Sequence, residues 1–275
     1  MEYLTSFFPN NSKFEDAQIV VFGVPIDSTV DYLTGTRFGP KIIREAANFI
    51  EPFDLETGKN LLEELKIFDF GDIEPCRSSV EKTIDKVHEK IKDLFDLKKF
   101  PLMLGGEHSI SLGAVKSLPK ACRIISFDAH YDLKEVWGES EYTHNTWFRK
   151  AAEFIGKKNV CLIGVRSGDE FEFEYSKDIL VNPSFSKLEN FIKGKDVYLS
   201  VDMDVFDPSI APGVGTPEPS GIKYEDFIET VKLICNFGNI IGMDVVEARP
   251  LGENKITEIL AAKIIFKVLN YEFIG

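Results

Sequence analysis

Asp128, His130 and Asp132 occupy alternate positions at the end of a short apolar run, IISFDAHYD (residues 124–132). In an extended segment alternate side chains share a face, so this spacing predicts three metal-capable groups on one side. The device returns in VYLSVDMD (residues 197–204), where another apolar run ends in Asp202 and Asp204. A third run, LMLGGEH (residues 102–108), breaks at a Gly-Gly turn just ahead of His108. The six potential ligands thus stand at the C-terminal ends of three predicted strands, which is where open α/β sheets bind their ligands.

Gathered in one pocket, Asp128, Asp132, Asp202 and Asp204 would carry about four negative charges in a partly dry site and raise one another's pKa. Two divalent cations would neutralise them, with His108 and His130 completing the coordination as neutral imidazoles. An oxygen-rich set of this kind suits Mn2+ or a similarly hard ion better than structural zinc. Two such ions about 3.5–4 Å apart can lower the pKa of a shared water toward neutrality and so make a hydroxide nucleophile. Taken singly, an Asp at a strand end is commonly a cap or turn residue and a His commonly packs in the core. Three clusters with matched spacing favour the joint reading. Of the four histidines, His88 alone stands apart from this pattern; it lies in VHEKI on a predicted long helix and is expected on a solvated face.

Strands are predicted at residues 19–23, 67–70, 102–104, 124–127, 160–163, 179–181, 197–201 and 240–244. Helical patterns fill the intervals at 39–50, 79–97, 109–118, 145–154, 187–192, 224–235 and 256–270, with Pro40 in a favourable first turn and Ser78 and Ser79 as candidate caps. Strands alternating with helices imply an α/β fold whose mainly parallel sheet is covered on both faces. Eight strands also fit a closed barrel, and periodicity does not choose between the two. Two loops, residues 133–144 and 206–222, follow the ligand clusters and are long enough to be functional; both would rim one pocket.

The 275 residues contain no linker-like stretch, so a single domain over residues 1–275 is expected. A formal net charge of −13 argues against nucleic acid or an anionic membrane as partner and would attract a cation, although most of these carboxylates are expected to be solvated surface charge. Cys76, Cys122, Cys161 and Cys235 form no C-x-x-C pair and fit a reducing compartment. With no signal-peptide pattern and no long apolar run, a cytoplasmic location is expected.

GGEHS (residues 105–109), DAHYD (128–132), SVDMDVFDPSIAPGVGTPEPSG (200–221), GTRFGPKIIREA (35–46) and DVVEARP (244–250) together resemble the ureohydrolase family of arginases and agmatinases. The resemblance runs through almost the whole chain in order, which makes it far more specific than a lone motif. It implies an open three-layer α/β/α fold with an eight-stranded mostly parallel sheet, and two Mn2+ ions. One ion would be held by His108, Asp128, Asp132 and Asp202, the other by His130, Asp128, Asp202 and Asp204. The implied reaction is hydrolysis of a guanidino group to urea and an amine by a hydroxide bridging the ions. Asp132, His144 and Glu247 are the catalytic candidates. Glu247 matches the carboxylate that pairs with the guanidinium, and His144, in YTHNTWFRKA, matches a proton shuttle at the pocket mouth. Agmatinases often read Ser-His-Gly-Thr where this chain has Thr-His-Asn-Thr. The family further implies a homo-oligomer, a trimer or hexamer.

Arginases read the α-amino and α-carboxylate groups of arginine through small polar residues soon after the D-x-H-x-D cluster. Here residues 133–138, LKEVWG, are acidic and aromatic, which favours a carboxylate-free amine such as agmatine, cleaved to urea and putrescine. Glu135, Glu139 and Glu141 are candidates to face its ammonium end. Residues 53–74 and GTPEPSG also look agmatinase-like. Related substrates would be arginine, guanidinobutyrate, formiminoglutamate or aminopropylagmatine. A two-metal phosphoesterase is disfavoured by the scarcity of basic residues near the motifs. A non-catalytic binding protein is disfavoured because all six ligand positions are filled.

Overall fold

The computed structural model describes residues 6–8 and 12–275. Its first half runs through β1 (Ile19–Val24), α1 (Gly39–Ala47), β2 (Phe53–Asp54), β3 (Lys59–Asn60), α2 (Leu61–Glu64), β4 (Ile67–Asp72), α3 (Val80–Asp96) and β5 (Phe100–Gly105). There follow α4 (Ser111–Val115), β6 (Arg123–Phe127), α5 (Trp147–Ile155), β7 (Val160–Ile163), α6 (Glu170–Tyr175) and β8 (Leu180–Val181). The chain closes with α7 (Phe185–Ile192), β9 (Asp196–Asp202), α8 (Tyr224–Phe237), β10 (Asn239–Val246) and α9 (Ile256–Phe273).

Eight strands form one sheet in the order β4-β1-β5-β10-β9-β6-β7-β8, and every neighbouring pair is parallel. The sheet has two edges, β4 and β8, so it is open and the barrel alternative falls away. Its strands are the eight predicted runs, with bounds moved by a residue or two. Each strand places alternate residues on opposite faces. Ile19, Val21, Leu104, Phe127 and Val201 share one core with buried residues of α1, α7, α8 and α9, while Val20, Phe22, Met103, Ile124 and Tyr198 share the other with α3, α4 and α5. Burial on both faces is why these strands read as near-continuous apolar runs. Three layers, α/β/α, result. Among the described residues no helix is long and apolar enough to cross a membrane.

Local chemistry fixes several elements. Ser79 caps α3 by accepting from the Lys82 N–H, and Pro40 sits in the first turn of α1. The predicted helix at 109–118 is instead a 3-10 turn over His108–Ile110 followed by α4. Three short elements escape the sequence patterns: the β2–β3 hairpin, α2 and α6. The last is EFEFEY, whose alternation mimics a strand; it is made helical by a capping box between Asp169 and Glu172. His88 departs from its expected solvated face. It is half-buried, and its Nδ1 lies 2.8 Å from Ser117 Oγ just beyond α4, because α3 packs along α4.

Two ion-pair clusters tie helices to the frame. Arg44 on α1 is buried and grips Asp69 of β4 through Nε and Nη2 at 2.7 and 2.9 Å, with Asp72 2.5 Å from Nη1. In the same layer, Lys267 on the neighbouring α9 holds Asp54 at 2.8 Å and Glu56 at 2.9 Å, fastening the small hairpin.

Candidate metal centre

Sheet register sets the site. Leu104, Val245, Val201 and Phe127 are paired in one row across β5, β10, β9 and β6. One step further lie Gly105, Val246, Asp202 and Asp128, so Asp202 and Asp128 leave adjacent parallel strands at one level and toward one face. The four central strands thus end together. Glu107 and His108 follow β5, and Glu247 follows β10.

Strand β6 ends at Phe127, and although His130 still bridges Ser167, the alternation expected for residues 128–132 is broken before Asp132. The His130 N–H folds back to donate to Asp128 Oδ1 at 2.7 Å, and Asp132 has a left-handed backbone with φ 50°. A local bend beyond the strand, and not a regular pleat alone, therefore sets where the three candidate ligands point. His108 Nδ1 lies 3.2 Å from Asp128, 3.5 Å from Asp132 and 3.1 Å from Asp202. His130 Nδ1 lies 3.7 Å from Asp128 and 3.0 Å from Asp204. The donor atoms of His108, Asp128 and Asp202 form one group and those of Asp128, His130 and Asp204 a second, each with all atoms within 4.8 Å. Asp128 belongs to both.

The electrostatics suit cations. Burial and the Asp128 charge push Asp132 well above the ordinary carboxylate range, and burial with Asp204 and Asp128 does the same to Asp202. Burial also raises Asp128, but the attraction of His108 and His130 outweighs it and brings the group down to about 2. Burial lowers the His108 pKa, yet the surrounding carboxylates lift it to about 9. Nδ1 of His108 and Oδ2 of Asp128 are buried without a hydrogen-bond partner although they face each other. Two orphaned donor atoms amid mutually repelling carboxylates are what a divalent ion would satisfy, so the residues present fit a binuclear metal group.

Surrounding groups hold these side chains in place. Ser200 Oγ lies 2.8 Å from His108 Nε2 and donates to Asp244 at 2.6 Å, while Tyr198 donates to the other Asp244 oxygen at 2.8 Å. Trp147 Nε1 donates to Asp132 at 2.9 Å, and its ring lies 4.3 Å from that of His108. Thr216 Oγ1 donates to Asp204 at 3.2 Å. Orientation of ligands by such partners is a general feature of metal sites. None of these was singled out from sequence, since each acts through a contact between different strands or loops.

A cavity of about 240 Å3 opens beside the centre, lined by Asp132, Asp202, Asp204, His130, His144 and Glu247 and, toward its mouth, by Asp31, Lys134, Asp169 and Glu172. Glu247 has a left-handed backbone with φ 62° and accepts the His108 backbone N–H at 2.7 Å. Burial pushes its carboxyl up to about 8. His144 Nε2 lies 3.8 Å from Asp31, and burial lowers the imidazole's pKa. Glu135, Glu139 and Glu141 do not line the cavity. Glu135 pairs with Arg149 at 3.3 Å and Glu141 with Lys150 at 2.6 Å, because the loop turns those carboxylates toward α5. The acidic mouth comes from Asp31, Asp169 and Glu172 instead.

Fold and site together define an α/β protein with a candidate binuclear metal centre at the C-terminal edge of a parallel sheet. An arginase-family model matches residues 17–270, and the chain belongs to the arginase family. It is 36% identical to an agmatinase of Bacillus anthracis, over 96% of this chain and 94% of that protein. An N(1)-aminopropylagmatine ureohydrolase of Thermococcus kodakarensis is 34% identical over 97% of this chain and 96% of its own length. The crystal structure of the agmatine ureohydrolase of Thermoplasma volcanium superposes with a TM-score of 0.91 at 33% identity, covering 98% of this chain and 94% of that one.

Proposed function

We propose that this chain is a manganese-dependent ureohydrolase that cleaves agmatine to urea and putrescine. One observation carries the reading: Glu247, a buried carboxylate beyond the metal-capable groups, faces the same cavity as Asp132, Asp202 and Asp204. His108, Asp128, Asp132 and Asp202 would hold one ion, and His130, Asp128, Asp202 and Asp204 the other. Bound there, two divalent cations supply Lewis-acid activation of water at neutral pH. Glu247 pairs with the guanidinium, whose planar N–H groups match a carboxylate, and so turns the guanidino carbon toward the ions. His144, at the cavity wall, accepts a proton at Nε2 and returns it to the leaving nitrogen.

Asp31 takes the distal ammonium of the substrate. Lys134 already neutralises Asp169 at 2.6 Å and lies 3.4 Å from Glu172, whereas Asp31 is offered no lysine or arginine among the cavity-lining residues. The same tethering leaves Lys134 poorly placed to hold a phosphate, which weighs against a phosphoesterase. A second reading, aminopropylagmatine as substrate, is favoured by the Thermococcus relative and by the acidic mouth, which would accept a longer polyamine. We read residues 1–275 as one hydrolase domain acting as a homo-oligomer, a trimer or hexamer, in the cytoplasm. Four free cysteines support a reducing compartment. Metal analysis followed by urea release from agmatine, aminopropylagmatine, arginine and guanidinobutyrate tests the reading. Two ions per chain with agmatine turned over fastest is expected; no urea from any of them would end it.

A further inference from the structure

We propose that Thr29 and Glu107 are positioning residues that fix the tautomer of His144, presenting an unprotonated Nε2 to the cavity. Glu107, in the loop after β5, is fully buried. Its Oε2 accepts the Thr29 backbone N–H at 2.7 Å, and its Oε1 accepts the hydroxyls of Thr29 at 2.8 Å and Ser109 at 2.7 Å. Thr29, in the loop after β1, also meets His144 twice: the His144 backbone N–H donates to Oγ1 at 3.0 Å, and Nδ1 lies 3.2 Å from the same oxygen.

A hydroxyl has one proton and two acceptor sites. If Thr29 gives its proton to Glu107, both remaining sites must accept, one from the His144 backbone and one from Nδ1–H. Were Thr29 to donate to Nδ1 instead, its oxygen and Glu107 Oε1 would face each other at 2.8 Å with no proton between them. The neutral ring therefore carries its proton on Nδ1. At the other nitrogen Asp31 Oδ1, at 3.8 Å, is beyond hydrogen-bond reach and so does not fix a proton on Nε2.

The two loops are themselves locked together. The Gly106 N–H donates to Val24 O at 3.0 Å and the Glu107 N–H to Ile26 O at 2.8 Å. A Cβ on Gly106 would stand 1.9 Å from Ile26 O, so only glycine lets the backbones approach this closely. Thr29 is thereby held over Glu107 whether or not ions occupy the centre.

The proposal rests on His144 being the proton carrier of the reaction proposed above, but its geometric half is testable alone. Protein labelled with 15N-histidine and loaded with magnesium, a diamagnetic ion, should show a neutral His144 ring protonated at Nδ1, its signal identified by its loss in His144→Gln. Thr29→Val should abolish that preference and lower kcat about 10- to 100-fold, with KM within about twofold and metal content unchanged. Thr29→Ser, which keeps the hydroxyl, should restore both the tautomer and most of kcat. An Nε2-protonated ring in the parent protein, or a valine variant with unaltered ring and rate, overturns the proposal. If the parent releases no urea from any guanidino compound, the proposed function fails, and the ring spectrum still decides the tautomer.

Discussion

Asp132 and Glu247 both adopt left-handed backbone, φ 50° and 62°, which costs an ordinary side chain about 1–3 kcal/mol. Each is held there by contacts of its own side chain, Trp147 Nε1 on Asp132 and the His108 N–H on Glu247. That the acidic and histidine side chains of the candidate centre would meet was legible in the sequence, because strand ends place them at one edge of the sheet. Asp31, Thr29 and Glu107 were not, since their partners come from loops after other strands and no spacing encodes such a meeting. The misplaced residues Glu135, Glu139 and Glu141 show the same limit: an acidic loop beside a site reveals charge but not which way its carboxylates turn. Asp31, half-exposed at the mouth, is expected to bind the substrate ammonium as a solvent-screened pair worth about 1 kcal/mol. Asp31→Asn should therefore raise KM for agmatine about three- to fivefold, more than it changes kcat, and narrow the preference over guanidinobutyrate. Steady-state kinetics on both substrates check this, and an unchanged KM would remove Asp31 from substrate binding.

At the scale of elements, the eight strands were readable because burial on both faces makes each one a continuous apolar run. Their order was not, since nothing in a run states which strand lies beside it. That order brings the ends of β5, β10, β9 and β6 together, although they are far apart in the chain. The attachment of α1 to β4 was equally hidden. There Arg44 and Asp69 are both buried, so Arg44→Met should lower stability by about 3–5 kcal/mol, because it strips a buried carboxylate of its countercharge. Urea denaturation measures the change, and a loss under 1 kcal/mol would show that the other interactions of Asp69, among them the Phe7 and Gly71 N–H groups, suffice for it. The hairpin's Glu56 offers a pH test. Its carboxyl is brought down to about 2 by hydrogen bonds from Lys232, Tyr271 and Lys267. A folded-state value below the unfolded one contributes stability that is present above about pH 4.5 and lost as pH falls toward 2. Glu56→Gln should flatten that acid limb of the stability curve, read from denaturation midpoints at pH 5, 4 and 3.

For the molecule as a whole, the candidate metal centre is a liability without ions. Asp128, Asp202 and Asp204 converge with Asp132 beneath a chain that already carries a formal net charge of −13. Folding must therefore work against repulsion at the end of its own central strands, and a cation that binds the folded state alone offsets it by mass action. Chelator-treated protein should gain thermal stability as Mn2+ is added, by about 2.7 kcal/mol at a hundredfold excess over Kd. Sodium chloride at matched ionic strength should give much less, because screening acts weakly on buried charges. Asp128→Asn removes the carboxylate common to both donor groups, so it should lose most of the Mn2+-dependent gain together with bound metal. It should also be less stable than the parent when both are metal-free, since the Asp128 charge is held in the fold by His108 and His130. Calorimetry of the two proteins with and without Mn2+ checks both signs. An asparagine variant that still gains the full shift would mean that the ions are held without the residue the sheet register places at the centre.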